Sequence, residues 1–144
     1  KLIYPSPGSL ITATNPYGPG RQIVQLSDGI YGNDKAECYL SEETTSAYIL
    51  VNLQQVTLIR KVKVRTQPSG KIVRKLLNTE VRVGNETASG DFSNYVHLGS
   101  FQGPPSGYNI DIVYSSATPI WGKFVSFQEK YSRVFTQVCA IEVY

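Results

Sequence analysis

Residues 51–84 constrain the fold more than any other part of the chain, because they contain two alternating segments joined by a basic loop. The alternating residues are Leu58, Val62 and Val64 against Lys61, Lys63 and Arg65 in the first segment, and Val81 and Val83 against Glu80 and Arg82 in the second. A period of two is typical of a strand with one buried face. Between the segments, Pro68 lacks an amide hydrogen and Gly70 tolerates unusual dihedrals, so both should interrupt pairing.

The rest of the chain predicts further short strands around this pair. Residues 1–20 should wrap irregularly around a short apolar run at 10–13, with at most one edge strand. The remaining predicted strands are 22–26, 48–53, 95–101, 108–114, 123–128 and 137–144. Residues 48–53 are almost continuously apolar, which fits a strand buried on both faces, whereas residues 30–45 read as a long loop. About eight short strands separated by turn residues predict an all-β antiparallel sandwich or barrel. With 144 residues, the chain should form one domain over 1–144.

Two features indicate an extracellular protein. Cys38 and Cys139 form an even pair, and Asn85-Glu86-Thr87 is a sequence motif for N-glycosylation placed after a predicted strand. A disulfide is one interpretation of the cysteines, and two buried thiols are the other. No run of about 18 apolar residues is present, so we expect no transmembrane segment. The first residues lack the apolar core of a signal peptide, although the chain could be a processed secreted fragment.

The residues needed for catalysis are scarce. His97 is the single histidine and has ordinary strand neighbours, so we expect a partly exposed strand residue rather than a catalytic or metal-binding one. Neither cysteine has a C-x-x-C spacing, and no phosphate-binding glycine loop is present. The sequence therefore predicts a binding module that is not an enzyme.

Basic residues are concentrated in one window. Eight of the 14 lysines and arginines fall between residues 60 and 82, and they are Arg60, Lys61, Lys63, Arg65, Lys71, Arg74, Lys75 and Arg82. On one strand face, Lys61, Lys63 and Arg65 would form a row at about 7 Å spacing. Such a row could bind sulfated polysaccharide or an anionic membrane, or it could be a solvated outer face. Nucleic acid is not expected as a partner, because aromatic residues are not regularly interleaved with the basic ones.

Several landmarks resemble those of a known family. They are Ser27-Asp28-Gly29, Val51-Asn52-Leu53, the run from Leu77 to Gly84, Gly122-Lys123-Phe124-Val125, and the end from Val138 to Tyr144. These segments resemble the F-type lectins, or fucolectins, and more broadly the discoidin-like jelly-roll sandwiches that bind galactose and related sugars. The resemblance covers most of the chain. It implies a jelly-roll sandwich and a disulfide between Cys38 and Cys139.

The same resemblance implies where a ligand would bind. In the family, a histidine soon after the loop cysteine and an Arg-x-Asp with a further basic residue bind fucose. Here Tyr39 follows Cys38, Arg65 stands at the arginine, and Gln67 stands at the aspartate. The candidate ligand contacts are Tyr39, Arg65, Gln67, Lys71, Arg74 and Lys75. Because the histidine and aspartate are replaced, we do not expect the usual fucose specificity.

The family also binds calcium through a loop, and this chain departs from that loop. Ile30 and Ala140 stand where the family has ligand side chains. A hard cation needs six or more oxygen ligands. We therefore expect no cofactor, including calcium.

Together these observations predict an extracellular recognition module that binds a glycan or glycoprotein through loops at one end of the sandwich. Two alternatives remain open. One is a domain for protein contacts, such as adhesion or receptor binding, that has lost sugar binding. The other is a polyanion binder that uses the basic strand face. Fold alone does not choose among them.

Overall fold

The structure is a computed structural model that describes residues 1–5, 8–18, 38–66, 76–131 and 135–144. These residues form eight strands and no helix, which confirms the predicted all-β class. The strands are β1 (Leu10–Ala13), β2 (Tyr39–Leu40), β3 (Tyr48–Arg65), β4 (Thr79–Gly84), β5 (Val96–Phe101), β6 (Asp111–Glu129), β7 (Gln137–Val138) and β8 (Ala140–Val143). The predicted strand 22–26 lies outside the described residues.

All the pairings among the described strands are antiparallel, and they place the long strands β3 and β6 at the centre. The main sheet has the order β1-β3-β6-β4-β5, with β8 also paired to β3, and β2 pairs with β7 in a small second sheet. The short strand β2 lies within the segment 30–45, which the sequence predicted to be a loop throughout. That prediction is wrong for Tyr39 and Leu40, because their backbone pairs with β7 more than 90 residues away, and such a pairing leaves no local periodicity.

Strands β3 and β6 are longer than predicted, with 18 and 19 residues. Strand β3 unites the predicted strand 48–53 with the alternating segment that ends at Arg65, and β6 unites residues 111–114 of the predicted strand 108–114 with 123–128. The prediction is wrong for residues 108–110, which precede β6 and are not in a strand. Their mutual pairing shifts register between Asn52 and Thr57 and again between Ile59 and Lys61. Irregularities of this kind bend a strand, so one strand can contribute to two layers.

The sheet folds back on itself, so that the first half of β6 lies over β4 and β5. A Cβ added at Gly99 of β5 would lie only 2.9 Å from the backbone nitrogen of Ser115 and 3.1 Å from the Cα of Tyr114, both on β6. The Tyr114 hydroxyl hydrogen-bonds to the Thr79 hydroxyl at 2.7 Å, which joins the first half of β6 to β4. The two layers therefore enclose the main core, which includes Val62, Val64, Val81, Val83 and Phe127.

The register shift between Ile59 and Lys61 corrects one detail of the predicted alternation. The sequence grouped Leu58 with Val62 and Val64, but the core contains Ile59 instead, while Leu58 is half-exposed. An irregular residue between the pairs inverts the inward and outward positions. The expectation for 48–53 is confirmed, since Val51 faces the main core and Leu50 packs in a second cluster with Phe92 and Phe124.

The sandwich has two distinct ends along β3. Arg65 pairs with Asp111 at one end, and Leu58 pairs with Trp121 at the other. Seven residues of extended strand separate these two pairs, a span of about 20 Å. Among the described residues there is no helix long and apolar enough to span a membrane.

Candidate functional site

The end of β3 brings Arg65 together with an acidic residue that the sequence did not single out. The Nε of Arg65 donates to Oδ1 of Asp111 at 3.0 Å, and its Nη2 lies 3.4 Å from Oδ2. Both side chains are roughly one-third exposed. Two contacts between a planar guanidinium and a carboxylate fix the orientation of the guanidinium. Asp111 thus holds the guanidinium of Arg65 in one orientation.

The disulfide lies against the same residue. Cys38 and Cys139 are bonded, which confirms the expected pairing, and the bond joins residues 101 positions apart. The amide of Cys139 donates to the carbonyl of Arg65 at 3.0 Å. We refer to Arg65, Asp111, Cys38 and Cys139 as the disulfide end.

Tyr39 is the candidate contact that the structure places elsewhere. Its side chain is 1% exposed in the core, and its hydroxyl donates to the carbonyl of Thr14 at 2.6 Å. Burial raises the pKa of this hydroxyl to about 12. A buried side chain with a hydrogen-bonded hydroxyl stabilises the fold and does not reach a ligand. The other candidates, Gln67, Lys71, Arg74 and Lys75, lie outside the described residues.

The basic row on β3 is present, but acidic residues lie beside it. Lys61 and Lys63 place their ammonium groups 4.9 and 5.5 Å from the centre of the Tyr144 ring. Glu142 of β8 is directly opposite Lys63, and directly opposite residues share a face. With Asp111 opposite Arg65, this face carries three positive and two negative side chains among the described residues.

A cleft of about 300 Å³ on the β4–β6 face contains a second group of charges, which the sequence pattern did not indicate. Glu80 accepts from Nε of Arg82 at 2.9 Å and lies 3.3 Å from Nζ of Lys130. Partial burial acts to raise the pKa of Glu80, but the hydrogen bonds and charges of Arg82 and Lys130 outweigh it and lower the pKa. Charges that satisfy one another in this way form a structural ion-pair network.

Glu129, at the end of β6, is the one buried carboxyl in the described core. Its side chain is 1% exposed, and Thr136 Oγ1 donates to Oε2 at 3.2 Å. The other oxygen, Oε1, has no hydrogen-bond partner in the described structure. Burial raises the pKa of this carboxyl to about 7, although hydrogen bonds from Thr136 and the backbone of Leu77 act to lower it.

The remaining candidate groups are far less enclosed. His97 is exposed on β5, as expected for an ordinary strand histidine. Asn85 is exposed directly after β4.

The described residues contain no group of three or more histidine, cysteine or acidic side chains that could hold a metal. Ala140 is buried on β8 and has no side-chain oxygen, while Ile30 lies outside the described residues.

No protein-family model and no curated protein matches this chain. Solved structures do match it. A fucolectin from the serum of striped bass, Morone saxatilis, has a TM-score of 0.79 at 18% identity, with 94% of this chain and 46% of that chain covered. The present chain thus spans about half of the fucolectin's length.

Two further structures match over nearly the whole of both chains. The lectin domain of lectinolysin, solved in complex with Lewis B antigen, has a TM-score of 0.73 at 16% identity and covers 95% of this chain and 92% of its own. Chitosan-binding module 1 of a chitosanase/glucanase from Paenibacillus has a TM-score of 0.71 at 18% identity and covers 94% of each. The chain therefore has the discoidin-like β-sandwich fold that F-type lectins and related carbohydrate-binding modules share.

Proposed function

We propose that this domain is an extracellular, non-catalytic module that binds a glycan at the disulfide end. The observation that carries the proposal is the Arg65–Asp111 pair, which lies partly exposed at the end of a strand in a fold used by carbohydrate-binding modules. A guanidinium has five donors in a rigid plane, which suits the hydroxyl and ring oxygens of a sugar. Asp111 holds that plane in place before a ligand arrives, so less side-chain entropy is lost on binding.

The ligand differs from free fucose. Tyr39 follows Cys38 where the family has a histidine donor, and its side chain is buried. The lost hydrogen bond to a charged group is worth about 1.5–3 kcal/mol, and a small sugar has few others to compensate. We propose instead a larger glycan or glycoprotein, for which Gln67, Lys71, Arg74 and Lys75 supply additional contacts.

An extracellular location is supported by the disulfide between Cys38 and Cys139, since such bonds persist in oxidising compartments. A role outside catalysis is supported by the carbohydrate-binding modules and lectin domains that share this fold. The proposed domain spans residues 1–144 as a single unit.

The distribution of charge favours this site over the basic strand face. Glu142 and Asp111 neutralise much of the row formed by Lys61, Lys63 and Arg65, and Tyr144 covers the two lysines. A polyanion would meet two carboxylates on that face, and like charges repel. The glycan proposal is therefore stronger than the polyanion alternative.

A glycan array carrying neutral fucosylated, amino-sugar and sulfated probes tests the proposal, followed by titration of the strongest probe. Arg65→Ala and Arg74→Ala should each weaken binding by about 10–150-fold, the equivalent of 1.5–3 kcal/mol. Asp111→Asn should weaken it by only about 2–5-fold, because a partly exposed ion pair is worth less than about 1 kcal/mol. Lys61→Ala is the matched control and should leave the affinity unchanged.

Two results would overturn the proposal. If Lys61→Ala and Arg65→Ala weaken binding equally and the affinity falls steeply with salt, the basic face is the site. If no probe binds at all, the domain serves protein contacts instead.

A further inference from the structure

A second cleft lies at the end of the sandwich opposite the disulfide end. It has a volume of about 250 Å³ and lies where β4 ends and β5 begins, beside Trp121 of β6. We call it the tryptophan cleft and define it by Asn85, Asn94, Tyr95, Val96 and Trp121. None of these residues belongs to the proposed glycan site, so a group bound or attached in the tryptophan cleft is independent of that site.

Two apolar side chains of the cleft are largely exposed. Trp121 is the only tryptophan of the chain and is 63% exposed, and Val96 across the cleft is 56% exposed. Large aromatic side chains usually bury most of their surface. An exposed tryptophan and an exposed valine that line one opening form an apolar patch that a ligand or attached group would cover.

The acceptor residue of the glycosylation motif is itself part of this cleft. Asn85 directly follows Gly84, the last residue of β4, and the three residues Asn85, Glu86 and Thr87 are all exposed. Accessibility of the asparagine and the threonine is what modification of such a motif requires.

Tyr95 holds the motif against the cleft. Its hydroxyl donates a hydrogen bond to the carbonyl of Glu86. Its ring also occupies the space that a Cβ on Gly84 would need, so the glycine lets the strand end lie directly on the ring. A group attached to Asn85 therefore starts beside Trp121.

We propose that Asn85 carries an N-linked glycan and that the first N-acetylglucosamine packs on Trp121 and Val96. The C–H face of the sugar ring covers the indole, while the side-chain amide of Asn94 lies within the same cleft for the acetamide or hydroxyl groups. Only this first sugar occupies the cleft of about 250 Å³, and the rest of the glycan extends into solvent.

The modification is a group transfer performed by a glycosyltransferase of the secretory pathway. The Asn85 side-chain nitrogen bonds to the anomeric carbon of an oligosaccharide carried on a lipid pyrophosphate. The C–O bond to the pyrophosphate breaks, the lipid pyrophosphate leaves with that electron pair, and the amide loses one proton. No oxidant or reductant is required.

Secretion of the protein from a eukaryotic cell, followed by mass spectrometry of the peptide that contains Asn85, tests the attachment. The expected result is a glycopeptide, and Thr87→Ala should abolish it. An unmodified Asn85 in the secreted protein would overturn the proposal.

Because Trp121 is the only tryptophan, its fluorescence reports on the cleft alone. Enzymatic removal of the glycan from the folded protein should raise the acrylamide quenching of Trp121 and shift its emission to the red, because the indole loses the sugar ring that covers it. The removal requires an amidase that also releases the first N-acetylglucosamine and leaves aspartate at position 85, and because it acts after folding it avoids the risk that a variant fails to fold. Unchanged quenching after complete removal would refute the packing on Trp121.

A relocated motif serves as the matched control. Glu42→Asn creates the same Asn-Glu-Thr tripeptide on an exposed segment after β2 that does not line the cleft. Combined with Asn85→Gln, it should carry a glycan and yet leave Trp121 as readily quenched as in the protein without glycan. If the glycan at position 42 protects Trp121 equally well, the protection is not local and the proposal fails.

Discussion

Replacement of Glu129 by glutamine should make the protein more stable at neutral and alkaline pH. The Glu129 carboxyl is buried with one oxygen lacking a hydrogen-bond partner in the described structure, so its charged form is poorly solvated. Glutamine has nearly the same shape, can still accept the hydrogen bond from Thr136, and never carries a charge.

The magnitude follows from the pKa of Glu129, which burial raises from 4.5 to about 7 in the folded protein. A raised carboxyl pKa means that the folded state holds a proton that the unfolded state has released, so stability falls as pH rises through this window. Below pH 4.5 the ionisation of Glu129 does not lower the unfolding free energy, and above about pH 7 it lowers it by the full amount. At about 1.4 kcal/mol per pKa unit, the full cost is on the order of 3 kcal/mol.

Urea unfolding of both proteins with the disulfide intact, at pH values from about 4 to 8.5, measures the effect. The difference in unfolding free energy should shift by about 3 kcal/mol in favour of Glu129→Gln across this range, because all other titrating groups are common to both proteins. Glu42→Gln, which makes the same chemical change at an exposed position, is the matched control.

A pH-independent difference for Glu129→Gln would refute the reasoning, since it would mean that the Glu129 carboxyl is ionised equally in both states. A Glu129→Gln variant that loses stability relative to the unsubstituted protein as pH rises would contradict the reasoning more strongly. That outcome would mean that the ionised carboxylate makes favourable contacts.

Three further predictions concern stability. Replacement of both Cys38 and Cys139 by serine should lower the unfolding free energy by about 4–5 kcal/mol, because the bond closes a loop of about 100 residues, and a loss below about 1 kcal/mol in urea unfolding would contradict this. Gly99→Ala should cost about 1–3 kcal/mol by forcing a methyl group against the backbone of Ser115, whereas Gly107→Ala meets only ordinary contacts and should be nearly neutral in the same assay. Millimolar calcium should leave the melting temperature unchanged, and a rise of several degrees that a chelator reverses would show that the domain binds it.

The sequence alone determined the class of fold and much of the core. The alternation of Val81 and Val83 with Glu80 and Arg82 is a local property of an extended chain, because successive side chains point to opposite faces whatever the strand pairs with. For the same reason the pattern identified Val62 and Val64 as core residues. The resemblance to a family predicted the disulfide, since a cysteine partner 101 positions away has no local signature.

Only the tertiary structure decided the register and the site. Ile59 replaces Leu58 in the core because a register shift against β6 inverts the pattern, and the partner strand is distant in sequence. Asp111 orients Arg65 from 46 residues away, through pairing that no local pattern reveals. The opening around Trp121 likewise exists only where separate strands end together. Periodicity is a property of the local sequence, whereas a site depends on which strands become neighbours. The cooperative packing of the whole sandwich determines those neighbours.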